Sequence, residues 1–230
     1  FFEGEGFLFC NKNIMNNILE LIGNTPIVRI NKLNPNKNVN IFAKLEGNNP
    51  GGSIKDRVAL KMMEVAKKTG KLTKGKTIIE ATSGNTGIAI AMIAAVKGYA
   101  VEIVMSEAVS IERQKMIAAF GAKIILTDGK LGTDGAIQKT RELVAEFPEK
   151  YYHTDQFSND NNILAHYETT AAEIWKQMDG KIDYFVAAIG TSGTLMGVSK
   201  YLKQKNPQIK IVSAEPVKAT ISKASRIWKK

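Results

Sequence analysis

The sequence predicts an α/β protein built on mostly parallel sheets, and three observations carry that expectation. From Thr77 onward, short apolar runs with strand character alternate with amphipathic stretches of helical period. The spacing of strand, helix and strand implies right-handed crossovers. Three strand runs end in loops rich in Gly, Ser, Thr and Asn that open straight into the next helix, the place where open α/β sheets hold ligands.

Taken in order, residues 27–30 and 39–45 read as strands joined by the turn Asn34-Pro35-Asn36. A loop from Glu46 to Arg57 then opens a helix running to about Lys68. Residues 77–80 form a strand, and 87–96 are small and apolar enough for a buried helix. The next strand covers 101–105, the next helix 111–120, and a further strand 123–126. Residues 134–147 read as a helix with Ala136, Ile137, Leu143, Val144 and Phe147 on its apolar face. Residues 151–162 are polar and irregular and mark a domain boundary; strands at 184–189 and 209–212 bracket a helix over 193–204. There is no repeat of fixed period and no low-complexity tract.

Composition narrows the function classes. At 230 residues, with 44% hydrophobic and 23% charged residues, 19 Gly and 6 Pro, the chain is globular rather than disordered, collagen-like or coiled-coil. No apolar run approaches the ~20 residues of a membrane span, and residues 1–9 are too short, acidic and Gly-rich for a signal peptide. The one cysteine, Cys10, cannot form an internal disulfide, and with two histidines it makes a poor zinc site. His153 and His166 have no other ligand types near them in sequence, so no metal is expected. A cytoplasmic protein without a membrane partner follows. The net charge of +10 comes from 32 Lys+Arg against 22 Asp+Glu. The lysines are scattered singly, apart from a cluster at 218–230, and no nucleic-acid-binding signature accompanies them. The charge therefore reads as a solvated surface that attracts small anions.

The three loops carry the chemistry. In Glu46-Gly47-Asn48-Asn49-Pro50-Gly51-Gly52-Ser53-Ile54-Lys55-Asp56-Arg57, Lys55 falls in the first turn of a helix. There the positive end of the dipole disfavours a cation and lowers the amine pKa toward Schiff-base chemistry. Read alone, it is more simply one more surface lysine out of many. In Glu80-Ala81-Thr82-Ser83-Gly84-Asn85-Thr86-Gly87, hydroxyls, an amide and free N–H groups suit a carboxylate or phosphate. Simple N-capping would explain one hydroxyl there but not the whole run. In Gly190-Thr191-Ser192-Gly193-Thr194-Leu195-Met196-Gly197, successive N–H groups at a helix start make a dianion cradle. It lacks the Walker lysine and the GxGxxG fingerprint. A Schiff-base lysine with a phosphate cradle and no nucleotide features points to pyridoxal phosphate. Asp56 and Arg57 are expected to pair and to cap and orient the Lys55 helix. Met62, Met63 and Met92 are expected in the core, and Trp175 and Trp228 in packing.

At these residues the chain resembles the cysteine synthase (O-acetylserine sulfhydrylase) family of fold-type II pyridoxal-phosphate enzymes, most of all the B-type. The resemblance rests on Leu21-Ile22-Gly23-Asn24-Thr25-Pro26, Lys44 to Pro50, Gly52 to Arg57, Thr82 to Gly87, Asp155-Gln156-Phe157-Ser158-Asn159, Ala165-His166-Tyr167, Glu173-Ile174-Trp175 and Gly190 to Thr194, in family order and spacing. It covers the chain from about Met15 onward.

The resemblance implies two three-layer αβα domains with mostly parallel sheets, tryptophan-synthase-β-like, the C-terminal one truncated. Residues 1–14 would be an extension without family counterpart, and 15–48 a segment joining the domains. Residues 49–158 would form the smaller domain, and 159–230 the start of the larger, phosphate-binding one. It implies Lys55 as Schiff-base lysine and acid/base, and Asn85 on the cofactor's 3′-oxygen. Gly190, Thr191, Ser192, Gly193 and Thr194 would hold the phosphate, and Thr82, Ser83, Thr86 and Gln156 the substrate carboxylate. The family's Ser-Ser-Gly loop against the pyridine nitrogen has no match here. The implied reaction is β-replacement, with O-acetylserine and sulfide giving L-cysteine, or thiosulfate giving S-sulfocysteine, in a homodimer. Cystathionine β-synthase-type chemistry, a dehydratase and a non-catalytic ligand-binding fragment remain alternatives.

Overall fold

The computed structural model describes residues 14–215; Cys10, the basic cluster at 218–230 and Trp228 lie outside them. Strands β1 (Ile27–Ile30) and β2 (Ile41–Lys44) form an antiparallel pair with Ile27 opposite Lys44. Helix α1 (Lys55–Lys68) follows and begins at the lysine singled out above. Next come β3 (Thr77–Ala81), α2 (Asn85–Lys97), β4 (Val101–Ser106), α3 (Ile111–Ala119), β5 (Lys123–Thr127), α4 (Gly132–Glu146) and β6 (Tyr151–His153). The four strands β3 to β6 pair in parallel in the order β5-β4-β3-β6.

Strand alternation explains the layers. Ile78, Ile103, Met105 and Tyr152 point to one face and pack with Met63, Ile90, Ile93 and Ile117 of α1, α2 and α3. Ile79, Ala81, Val104 and Tyr151 point to the other and pack with Ala136, Ile137, Leu143 and Val144 of α4. Because both faces are covered, all six residues of β4 are buried. Helix α2 is apolar on every side and buried from Thr86 to Ala94, which is why small residues dominate it. A Cβ at Gly87 would lie 3.0 Å from Ile117 Cδ1 and 3.1 Å from Thr82 Cγ2, so its first turn needs glycine to sit this close. Met62, Met63 and Met92 are all buried, as expected.

The segment 151–162 departs from the irregular loop expected. Tyr151 and Tyr152 are buried and form β6, which extends the sheet beside β3 with Thr77 opposite Tyr151. Three residues with a polar tail give no periodic signal, and burial of two aromatic rings decides the outcome. Beyond it, α5 (Asn161–Ala165), a π-helical turn at His166–Thr170 and α6 (Ala171–Gln177) run on without a break. Strands β7 (Tyr184–Ala188) and β8 (Lys210–Ala214) pair in parallel, joined by α7 (Gly193–Lys205). Ala171, Ile174, Val198, Leu202 and Ile209 form their core, and Ile27 of β1 and Trp175 pack against it. The opposite face leaves Tyr184 57% and Val186 59% exposed.

Arg57 ties these parts together. Its Nε and Nη2 donate to Glu46 at 2.8 and 2.9 Å, and its Nη1 and Nη2 donate to Glu173 on α6 at 2.6 and 2.7 Å. Lys44 of β2 adds an ion pair to Glu173 at 2.8 Å, so two cations balance two carboxylates. Burial opposes ionisation of Glu173, but hydrogen bonds from Arg57 and Lys44 outweigh it and hold the carboxyl at about 2. Asp56, by contrast, does not pair with Arg57. It accepts from Gly51 N at 2.6 Å, because adjacent helical residues point in different directions.

Helix α7 crosses the π-helical turn so closely that a Cβ at Gly197 would collide with Ile163 O and lie 2.8 Å from His166 Cβ. Gly197→Ala should therefore destabilise the chain by about 1–3 kcal/mol in urea unfolding; parental stability would contradict this packing.

Candidate active site

Parallel pairing sends the loops after β3 and β6 out on the same side of the sheet. Thr86, in the first turn of α2, thereby meets Gln156, which follows β6, and Thr86 Oγ1 donates to Gln156 Oε1 at 2.8 Å. Both are buried, at 3% and 5% exposure. With its Oε1 occupied, Gln156 presents its amide N–H groups for another acceptor. Helix α2 has Gly84 at its N-cap and no side-chain cap, so the capping explanation of Thr82 and Ser83 does not hold. Thr82 Oγ1 instead accepts from Gly84 N at 3.3 Å, and Ser83 O accepts from Arg113. Asn85 is exposed at the helix start. Among the described residues, no recorded hydrogen bond joins Thr82, Ser83 or Asn85 to the other expected site residues.

The third loop comes to the same place through α5. Asn162 donates to Gln156 O at 2.9 Å and to Thr191 Oγ1 at 2.8 Å. Ser192 has a left-handed φ of 66° at the N-cap of α7, which no side chain caps. The positive end of the helix is therefore left without a side-chain cap and suits an anion. Gly190 is open, with nothing within 4 Å of an added Cβ. Thr194 Oγ1 lies 3.2 Å from His166 Nε2, whose Nδ1 lies 2.9 Å from Thr170 Oγ1.

Lys55 is half-buried at the start of α1, whose N-cap, Ile54, offers no side-chain oxygen. Its amine is held below the usual range chiefly by burial, with Glu80 pulling the other way. The helix dipole acts in the same direction, and desolvation is the larger cause. Three further groups escaped the sequence reading. Glu80, 2% exposed, is pushed up to about 7 by burial, against hydrogen bonds from Thr154 and Gln156. His166 is pushed down to about 3 by burial and then by the fields of Lys55 and Arg57. Asn162 is 3% exposed. The polar run Asn159-Asp160-Asn161-Asn162 was visible, but burial, which makes it informative, was not.

A profile of the family "Pyridoxal-phosphate dependent enzyme" matches residues 18–228. Cysteine synthase of Aquifex aeolicus is 53% identical over 202 residues, spanning 86% of this chain and 62% of that protein. Cysteine synthase B of Salmonella typhimurium is 44% identical over 216 residues, spanning 93% of this chain and 70% of that protein. The crystal structure of cysteine synthase from Entamoeba histolytica superposes with a TM-score of 0.89 at 46% identity, covering 93% of this chain and 64% of that one. The chain thus spans less than two thirds of the Aquifex relative's length.

The buried carboxyl makes a pH prediction. Glu80 supports the fold fully below the ordinary carboxylate range, and that support is lost as pH rises through about 7. His166 imposes the opposite slope on the acid side, since its support is lost as pH falls toward about 3, so variant and parent must be compared directly. Glu80→Gln should be near neutral at pH 4.5 and gain about 3 kcal/mol on the parent by pH 8 in urea unfolding. An equal difference at both pH values would contradict the assignment.

Proposed function

The chain belongs to the pyridoxal-phosphate-dependent enzymes, and from that premise we propose that the whole protein catalyses β-replacement on O-acetyl-L-serine. The β-carbon–oxygen bond breaks and acetate departs. Sulfide forms the new carbon–sulfur bond, and the product is L-cysteine; thiosulfate in the same role gives S-sulfocysteine. The observation that carries the reading is the contact chain Thr86–Gln156–Asn162–Thr191. It joins the first turn of α2 to the loop that opens α7, the two uncapped helix starts that suit anions.

The residues present fit the cofactor. The uncapped, left-handed start of α7 suits a phosphate dianion better than a side-chain cap would. On this reading Gly190, Thr191, Ser192, Gly193 and Thr194 hold the phosphate, Asn85 reaches the 3′-oxygen and Lys55 holds the aldehyde carbon. When bound, pyridoxal phosphate supplies an electron sink for negative charge at the substrate α-carbon.

The chain's own residues do the rest. Thr82, Ser83, Thr86 and Gln156 grip the substrate carboxylate and so fix which α-hydrogen points at Lys55. An amine disfavoured as a cation by burial accepts that proton at Nζ. Burial holds His166 toward its neutral form, so on this reading the phosphate meets hydroxyl and backbone donors rather than an imidazolium.

We further place residues 49–158 in a smaller domain and 159–230 in the larger, joined by 15–48, in a cytoplasmic homodimer. No helix among the described residues is long and apolar enough to cross a membrane. Exposed Ile18, Leu21, Val28, Ile41 and Phe42 offer apolar surface for a second copy.

Mixing the purified chain with pyridoxal phosphate should produce the visible absorbance of a lysine-bound cofactor, and Lys55→Ala should abolish it. The same variant should lose cysteine formation by at least about a thousandfold; an unchanged spectrum would overturn the role of Lys55. Cystathionine from homocysteine, with no cysteine from sulfide, would redirect the assignment to that alternative. Gln156→Leu should raise KM for O-acetylserine by about tenfold or more with the cofactor still bound; an unchanged KM would remove Gln156 from the carboxylate site.

A further inference from the structure

Asn162 has the chemistry of a switchable donor locked in one orientation. Gln156 O is a carbonyl and can only accept, so the group 2.9 Å from it must be the Asn162 Nδ2 amine. The same nitrogen lies 2.8 Å from Thr191 Oγ1, so the threonine oxygen receives the second amide proton. The other end of the amide, Oδ1, is buried and has no hydrogen-bond partner. It presses on Gly193, the first residue of α7, where any Cβ would collide with it. A flipped amide would set Oδ1 against Gln156 O, two acceptors face to face, which excludes the alternative.

A hydroxyl that accepts from Asn162 keeps its own hydrogen for something else. Among the described residues, no recorded hydrogen bond uses the Thr191 proton. Thr191 stands one residue before Ser192, the N-cap of the uncapped helix α7, whose N–H groups suit an anion.

We propose that Asn162 is a positioning residue: it fixes the Thr191 hydroxyl as a donor toward the cofactor phosphate and, through Gln156 O, holds the carboxylate loop in register with the phosphate loop. This rests on the reading of residues 190–194 as the phosphate cradle. Aspartate, of nearly the same shape, reverses the arrangement. A carboxylate has no proton to give either acceptor, it repels Gln156 O, and it draws the Thr191 proton to itself.

The test is a double-mutant cycle on cofactor affinity, read by absorbance titration with pyridoxal phosphate and, in parallel, with pyridoxal, which lacks the phosphate. Asn162→Asp should weaken pyridoxal phosphate binding at least about tenfold and leave pyridoxal within about twofold. In a Thr191→Val background the same substitution should cost less than about threefold, because the hydroxyl it misdirects is gone. Equal losses for both ligands, or a loss unchanged in Thr191→Val, would overturn the proposal, since a merely structural asparagine predicts both. If Asn162→Asp does not fold by circular dichroism, Asn162→Ala is held to the same two criteria. A parent chain that does not prefer pyridoxal phosphate over pyridoxal would instead overturn the cradle itself, and the relay with it.

Discussion

Parallel strands deliver the loops that follow them to one side of a sheet, and everything at the candidate site depends on that constraint. Helix α2 begins there, after β3, and α7 opens in the same way after β7 of the second sheet; neither has a side-chain cap. Helix starts are ordinarily satisfied by Ser, Thr, Asp or Asn at the cap. Two linked starts that forgo it leave backbone donors for ligands rather than for the fold. The contact from Thr86 to Gln156 then follows from β6 lying beside β3.

The electrostatics around Lys55 follow from burial more than from charge pairing. Lys55, Glu80 and His166 all carry desolvation as the largest contribution, and each is displaced toward its neutral form. Arg57 is buried and Glu46 and Glu173 are half-buried, yet all three stay charged, because bidentate hydrogen bonds repay the desolvation. The molecule thus separates ionic groups that hold it together from titratable groups whose charge is left adjustable.

Much of this was legible in the sequence. Strand and helix alternation gave the α/β class, and the start of α1 at Lys55 and of α7 at Gly193 matched the loop grammar. The strand at Tyr151–His153 was not legible, because three residues are too few for a period and their pairing partner lies far back in the chain. The π-helical turn that sets His166 against Thr194 leaves no mark in composition. Pairing Asp56 with Arg57 failed for a geometric reason: neighbours on a helix diverge, and each found a partner elsewhere. Glu80 and Asn162 stayed hidden because only burial distinguishes them from surface residues.

The ionic cluster at Arg57 also sets an order of events during synthesis. Arg57 bonds a carboxylate 116 residues downstream, and the backbone of Asn24 reaches the same Glu173 across 149 residues. Until residue 173 leaves the ribosome, the nascent chain holds a guanidinium with only Glu46 to neutralise it, beside a sheet whose local crossovers can already close. The parallel sheet of β3 to β6 can thus assemble during translation, while the joint that fixes β1, β2 and α1 to α6 must wait for the ribosome to advance.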